Sequence, residues 1–395
     1  MQNIPITRVL FDEAEIEAVQ EPLRSGWIVQ GPYVAEFERK FADFAGSKHA
    51  IATTSCTTAL HLSLAAAGIG PGDEVIVPAF TWVATANVVE YMGAKPVFCD
   101  IDLETFNVDV DLLPDLITDR TRAIIPVHLF GLPADMYAIR RLARWHDLVV
   151  VEDAACGFGA TYEGTHVGTL SHFGCFSFHP RKAITTGEGG MILTQRDDAA
   201  ELCRTLRDHG ASKTDLSRHA GSGGFLLPAY DHLGYNYRMT DLQGAIGSMQ
   251  MDKAGEIQSA RVHRAERYDD LLESTSWLRT PTVPEGSTHA YQSYVCLFRP
   301  EPVSTKNVDR LHQRRNALMA ELESRGIATR QGTHAVTSQG YYRRKYGIHP
   351  EAYPQALLAE RLSLTLPVYP QMTDEEQDYV VAQLHQVFES YRRAA

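Results

Sequence analysis

The sequence predicts an α/β fold: a large domain with a mostly parallel, seven-stranded-type sheet flanked by helices, followed by a smaller C-terminal α+β domain. Three observations carry this. Short apolar runs recur from about residue 49, and segments of 10–15 residues with helical spacing separate several of them. The runs are rich in Val and Ile without polar alternation, which suits strands buried on both faces. After about residue 240 the alternation stops and longer helical stretches take over.

In chain order, Asp12 to Ser25 reads as an acidic helical piece. Val34 to Ala45 reads as a second, with Val34, Phe37, Phe41 and Phe44 at helical spacing. The strand candidates are Ala50–Thr53, Glu74–Val77, Pro96–Cys99, Ala123–Val127, Leu148–Val151, Phe173–Phe178 and Gly190–Thr194. The intervening helix candidates are Thr57–Ala67, Ala84–Tyr91, Val110–Ile117 and Met136–His146. A long helix is expected from Asp241 towards Leu272, then a strand at Tyr291–Phe298, a helix at Val308–Arg325 and a strand at Leu362–Leu366. A last helix starts at Thr373, where Glu376 completes a capping box and Val380, Leu384, Val387 and Phe388 form the apolar face. The division between domains is expected at 245/246, and Lys213 to Asp231, rich in Gly and Ser, as a mobile loop.

Composition narrows the function. The 395 residues carry 37 Lys plus Arg against 49 Asp plus Glu, a formal net charge of −12. That balance argues against a broad nucleic-acid surface, while leaving room for a local basic pocket. No apolar run of about 18 residues suggests a membrane-spanning helix. Met1 to Asp12 lacks the basic-then-apolar pattern of a signal peptide. The six cysteines are scattered and form no C-x-x-C pair, so free thiols in a reducing cytoplasm and no metal site are expected.

Several residues at strand ends suggest chemistry. Lys182 follows an apolar strand and precedes the glycine-rich turn Thr185–Gly190. Burial there is expected to lower its pKa, and a neutral amine can form a Schiff base; a snorkelling surface lysine is the alternative. Asp153 closes the run Val149-Val150-Val151-Glu152-Asp153, at the sheet edge where open α/β folds bind ligands. A carboxylate there can pair with a pyridinium nitrogen, bind a metal or cap a helix. Cys56 and Thr57 open a helix whose N-terminus suits a phosphate or simply needs a cap. Trp82, just past another strand, stacks on a flat ring or fills the core. Asn236 lies in a polar and aromatic cluster, Gly234 to Asp241, before the long helix.

Five blocks in order, Ser55–Leu60, Pro78–Ala84, Glu152–Ala160, Ser177–Gly190 and Gly234–Asp241, resemble the DegT/StrS-type sugar aminotransferases, enzymes of fold type I that use pyridoxal 5'-phosphate (PLP). The resemblance covers nearly the whole chain. It implies that Lys182 carries the cofactor as a Schiff base and that Asp153 pairs with the ring nitrogen. It implies that Trp82 stacks on the ring, that Cys56, Thr57 and Ser177 hold the phosphate, and that Asn236 reaches the phosphate of a neighbouring subunit in a homodimer. Three positions depart from the family: Cys156 stands where Gln or His usually touches the ring hydroxyl, Arg181 replaces a small or neutral residue, and Ala183 replaces a common asparagine. The implied reaction is transamination through the amino form of the cofactor, pyridoxamine phosphate, from glutamate or glutamine to a keto sugar. A nucleotide-linked 3-keto or 4-keto-6-deoxy hexose is the expected acceptor, with Arg181, Arg238, Arg330 and His334 as candidate substrate contacts. A keto-cyclitol acceptor, or a regulatory protein on the same scaffold, are the alternatives.

Overall fold

The computed structural model describes residues 3–212 and 228–394. Three helices lead in: α1 (Glu13–Ala18), α2 (Gln20–Ser25) and α3 (Pro32–Ala45). The large domain then follows as β1 (His49–Thr53), α4 (Cys56–Ala66), β2 (Glu74–Pro78), α5 (Ala84–Tyr91), β3 (Lys95–Cys99), β4 (Thr121–Ile124), α6 (Met136–Trp145), β5 (Val149–Asp153), β6 (Phe173–Ser177), β7 (Gly190–Thr194) and α7 (Asp197–Arg207).

The seven strands form one sheet in the order β1-β7-β6-β5-β4-β2-β3. Every pairing from β6 to β3 is parallel, and β7 alone runs antiparallel, between β1 and β6. The run Val75-Ile76-Val77 is inaccessible to solvent, as are Val151 and Ile192. Helices cover both faces, which is why these strands carry no polar alternation. The parallel strands place their carboxyl ends, including Pro78, Asp153 and Ser177, along one edge of the sheet.

Four expectations are corrected. Val110–Ile117 is not an α-helix but two 3₁₀ turns, Val110–Leu112 and Pro114–Leu116. Pro114 has no N–H with which to continue an α-helix. The first acidic piece is two short helices that meet at Val19. The long helix is also two, α8 (Asp241–Asp252) and α9 (Ala254–Leu272), broken at Lys253, whose ammonium is held by Asp12 and Glu15 at 2.7 Å each. The strand expected to reach Val127 leaves the regular ladder after Ile124, and Val127 makes a single bridge to Asp153.

The later part of the chain carries a three-stranded antiparallel sheet of β8 (Leu278–Arg279), β9 (Tyr294–Phe298) and β10 (Ser363–Leu366), with β9 central. Helices α10 (Val308–Ser324), α12 (Pro354–Leu362) and α13 (Asp374–Ala394) pack around it, whereas α11 (Gly340–Tyr346) lies against α5 of the large domain, its Tyr342 Oη donating to Asn87 Oδ1 and its Tyr346 Oη to Glu90 Oε1. Thr373 and Glu376 form the expected capping box at the start of α13, and Val380, Leu384 and Val387 are fully buried. The proposed domain division at 245/246 falls within α8. Of the stretch expected as a mobile loop, residues 213–227 lie outside the described residues. No described helix is long and apolar enough to cross a membrane.

One short contact matters for the site. Phe80–Thr81 pairs antiparallel with His334–Ala335, tying the end of β2 to the segment after α10.

Candidate active site

Asp153 is the last residue of β5 and is only 5% exposed. Its Oδ2 accepts a 2.8 Å hydrogen bond from Thr85 Oγ1, and its Oδ1 accepts from Ala155 N–H at 3.2 Å. Burial pushes this carboxyl above its ordinary range; Thr85, the Ala155 N–H, Lys182 and His128 pull it back without cancelling the rise. Thr85 is the residue that sequence reasoning missed. It lies inside α5, three residues after Trp82, and Thr81 Oγ1 is 3.1 Å from its hydroxyl. No motif marks it, because only the packing of α5 beside β5 gives it a partner.

Lys182 follows β6 in a tight turn in which its N–H donates to His179 O at 2.8 Å. The turn sends Nζ back to Cys156 Sγ, at 3.1 Å. The expected fall in the Lys182 pKa is overturned. Burial does push the ammonium down, but Cys156, Cys56 and Asp153 together outweigh it, and the net shift is upward. Polar neighbours, invisible in linear sequence, decide the sign. The Cys56 thiol is buried 3.9 Å from Asp153 Oδ1, while Cys156 is the one half-buried cysteine. Asp153, Lys182, Cys156 and Cys56 therefore form one cluster, drawn from three separate segments.

The start of α4 completes the edge. Ser55 caps the helix: its Oγ accepts from Thr58 N–H and Thr58 Oγ1 accepts from Ser55 N–H, so Cys56 and Thr57 do not supply the cap. As the first two helical residues, they present N–H groups with no acceptor inside the helix. Gly190 packs its backbone directly against Ser55 and Cys56, where any side chain would collide. Gly190 also pairs with Ser177, so the Ser177 hydroxyl is brought beside the same helix start.

The remaining candidates line the outside. Trp82 is 61% exposed, its ring 5.9 Å from that of His334 at a 41° tilt. His334 Nδ1 lies 3.7 Å from Glu360 Oε1. Arg330 is exposed and pairs through its backbone with Thr365. Arg181 is exposed, and its carbonyl accepts from Gln292 Nε2 at 2.8 Å. Arg238 pairs with Asp208. Asn236 is exposed on a segment whose neighbours Tyr235 and Tyr237 stack on each other, with Tyr237 Oη 2.9 Å from His61 Nδ1. That alternation turns Asn236 towards solvent.

Over residues 10–385 the sequence matches the DegT/DnrJ/EryC1/StrS aminotransferase family. The chain belongs to this family. It is 39% identical to the GDP-perosamine synthase of Caulobacter vibrioides over 98% of this chain and 99% of that protein. Among solved structures, the PLP form of Spr1654 from Streptococcus pneumoniae superposes with a TM-score of 0.89 at 30% identity, covering 98% of this chain and 99% of that one. PseC of Helicobacter pylori, an aminotransferase involved in the biosynthesis of pseudoaminic acid, gives a TM-score of 0.89 at 25% identity, over 98% and 100%.

The protein is thus a PLP-dependent sugar aminotransferase of fold type I. The donor set of the aminotransferase fits that cofactor. A primary amine and a buried carboxylate share one cluster, and a helix N-terminus with an adjoining hydroxyl suits a phosphate.

Proposed function

We propose that this aminotransferase moves an amino group from glutamate or glutamine to a keto sugar carried on a nucleotide, a 3-keto or 4-keto-6-deoxy hexose, and does so as a homodimer. The observation that carries the acceptor class is the 39% identity, over essentially the whole chain, to a relative named for a GDP-linked sugar.

In this reading PLP, when bound, supplies an aldehyde carbon for the amino group and a ring that stores an electron pair. The rest falls to the protein. Asp153, ionised and buried, holds a proton on the ring nitrogen. Cys56 and Thr57 at the start of α4, with Ser177, hold the phosphate, and Asn236 reaches the phosphate of the neighbouring subunit. Trp82 would stack on the ring. Cys156 holds the Lys182 amine in place, and Lys182 Nζ moves the proton at the donor's α-carbon. Arg181, Arg238, Arg330 and His334 are the cations proposed to meet the nucleotide diphosphate. Arg238 would have to share its guanidinium with Asp208.

The test is a two-step titration. Purified protein with PLP is expected to show a visible band that Lys182→Ala lacks, and glutamate or glutamine should convert that band to the amine form. Nucleotide-linked keto sugars should then restore it. Restoration by keto-cyclitols alone would replace the proposed acceptor, and absence of a lysine-dependent band would sink the catalytic roles given to these residues.

A further inference from the structure

Glu152 and His128 form a fully buried pair that the proposed reaction does not use. Both side chains are inaccessible, and His128 Nε2 lies 2.9 Å from Glu152 Oε2. His128 Nδ1 accepts from Ala134 N–H at 3.1 Å, so the ring proton sits on Nε2 and points at Glu152. Glu152 takes three further donors: Gly168 N–H at 2.6 Å, Leu170 N–H at 2.9 Å and Ser171 Oγ at 2.8 Å. A buried carboxylate held by hydrogen bonds is a poor device for stability alone, since apolar residues of the same size often do as well. What this one does have is a position.

Successive strand residues point to opposite faces, so Glu152 and Asp153 are back to back on β5. His128 grips both. Its imidazole meets the Glu152 carboxylate, and its backbone N–H donates to Asp153 O at 3.1 Å. Asp153 N–H in turn donates to Pro126 O at 2.8 Å. On the other side, the Glu152 carboxylate pins residues 168–171, the turn that feeds β6. That turn lies so close on β6 that Gly168 and Gly174 touch backbone to backbone, leaving no room for a side chain at Gly174. Two strand ends and the entry to a third, β4, β5 and β6, are thereby fixed around one carboxylate.

We infer that Glu152 and His128 are positioning residues for Asp153: they act through the strand to hold its carboxylate at the angle and depth the ring nitrogen requires. The inference rests on the proposed pairing of Asp153 with that nitrogen. It predicts that the pair governs cofactor binding rather than acceptor binding.

The experiment compares Glu152→Gln, His128→Leu, His128→Gln, Asp153→Asn and the double variant E152Q/D153N by PLP dissociation constant, visible band, and kcat against KM. Glutamine at 152 presents an amide to several donors; leucine at 128 keeps the backbone bond to Asp153 but removes the imidazole that ties it to Glu152; glutamine at 128 can both accept from Ala134 and donate to Glu152. Glu152→Gln and His128→Leu should bind PLP about tenfold more weakly, with lower kcat and unchanged acceptor KM. His128→Gln should stay near wild type. In the Asp153→Asn background, Glu152→Gln should have little further effect. Additive losses in the double variant, or wild-type PLP affinity in folded Glu152→Gln and His128→Leu, would overturn the inference. If neither folds, loss of PLP affinity in His128→Gln equal to that of Asp153→Asn would also overturn it. Asp153→Asn with an unchanged band and affinity would instead overturn the underlying role of Asp153.

Discussion

Asp153 and Trp82 lie close to the ends of two strands of one sheet edge, yet they are held in opposite ways. Asp153 is 5% exposed, its carboxylate fixed by a hydroxyl and an N–H and its backbone by two neighbouring strands. Trp82 is 61% exposed and follows a strand of only two residues, paired to His334–Ala335 from the other end of the chain. The inner wall has one geometry available to it because both carboxylate oxygens of Asp153 are held by donors from the fold. The outer wall rests on short elements and exposed side chains, where substitution costs the core little. A family that keeps one chemistry and changes its sugar has reason to be built this way.

The comparison can be broken most sharply at Lys182. Lys182→Ala should abolish the visible band and lower kcat about 10²–10⁴-fold, measured by absorbance and single-turnover kinetics. Next comes Thr85→Val, which removes the 2.8 Å donor to Asp153. Burial already raises this carboxyl, so losing the hydroxyl raises it further; the ionised form is lost at higher pH on acidification. The acid limb of kcat should move to higher pH, with about 1–3 kcal/mol of stability lost to an unpaired buried acceptor. A pH profile of kcat and a denaturant titration check both.

A smaller effect is expected at Cys156. Cys156 helps hold the proton on Lys182, so Cys156→Ala should move the pH midpoint of amine labelling at Lys182, in cofactor-free protein, downward. An unmoved midpoint would assign the raised affinity to Asp153 and Cys56 alone. On the outer wall, Trp82→Ala should leave stability within about 0.5 kcal/mol of wild type and act only on ligand affinity, read by thermal unfolding and substrate KM.

The smallest effect on activity belongs to the opposite sheet edge. Glu74, at the start of β2, is held down to about 2 despite burial by Thr118, Arg120 and Lys95. A depressed carboxyl contributes stability that is present above its ordinary value and lost as pH falls through the depressed one. Glu74→Gln should therefore leave kcat unchanged and flatten the acid-unfolding curve between 4.5 and about 2, followed by circular dichroism.

Legibility in the sequence follows the range of the interactions. The strands at Glu74 and Gly190 and the helix at Ala84 read directly, because an apolar run or a helical stripe is a local signal. The capping box of Thr373 and Glu376 reads for the same reason. The break at Lys253 does not: no proline marks it, and the carboxylates that hold its ammonium, Asp12 and Glu15, lie more than two hundred residues away. Lys182 and Asp153 are visible as strand-end residues, but Thr85 becomes a partner of Asp153 only when α5 packs beside β5.

By itself, then, the sequence determined the alternating α/β order, the sheet edge that carries chemistry, and the family, because periodicity and short motifs are properties of neighbouring residues. Tertiary structure alone decided that Lys182 holds its proton more tightly than an ordinary lysine, that Cys156 is the atom it meets, and that His128 and Glu152 lie behind Asp153. Those are properties of charges and hydrogen bonds between distant segments. Their signs depend on which groups share a buried volume, which no local pattern records.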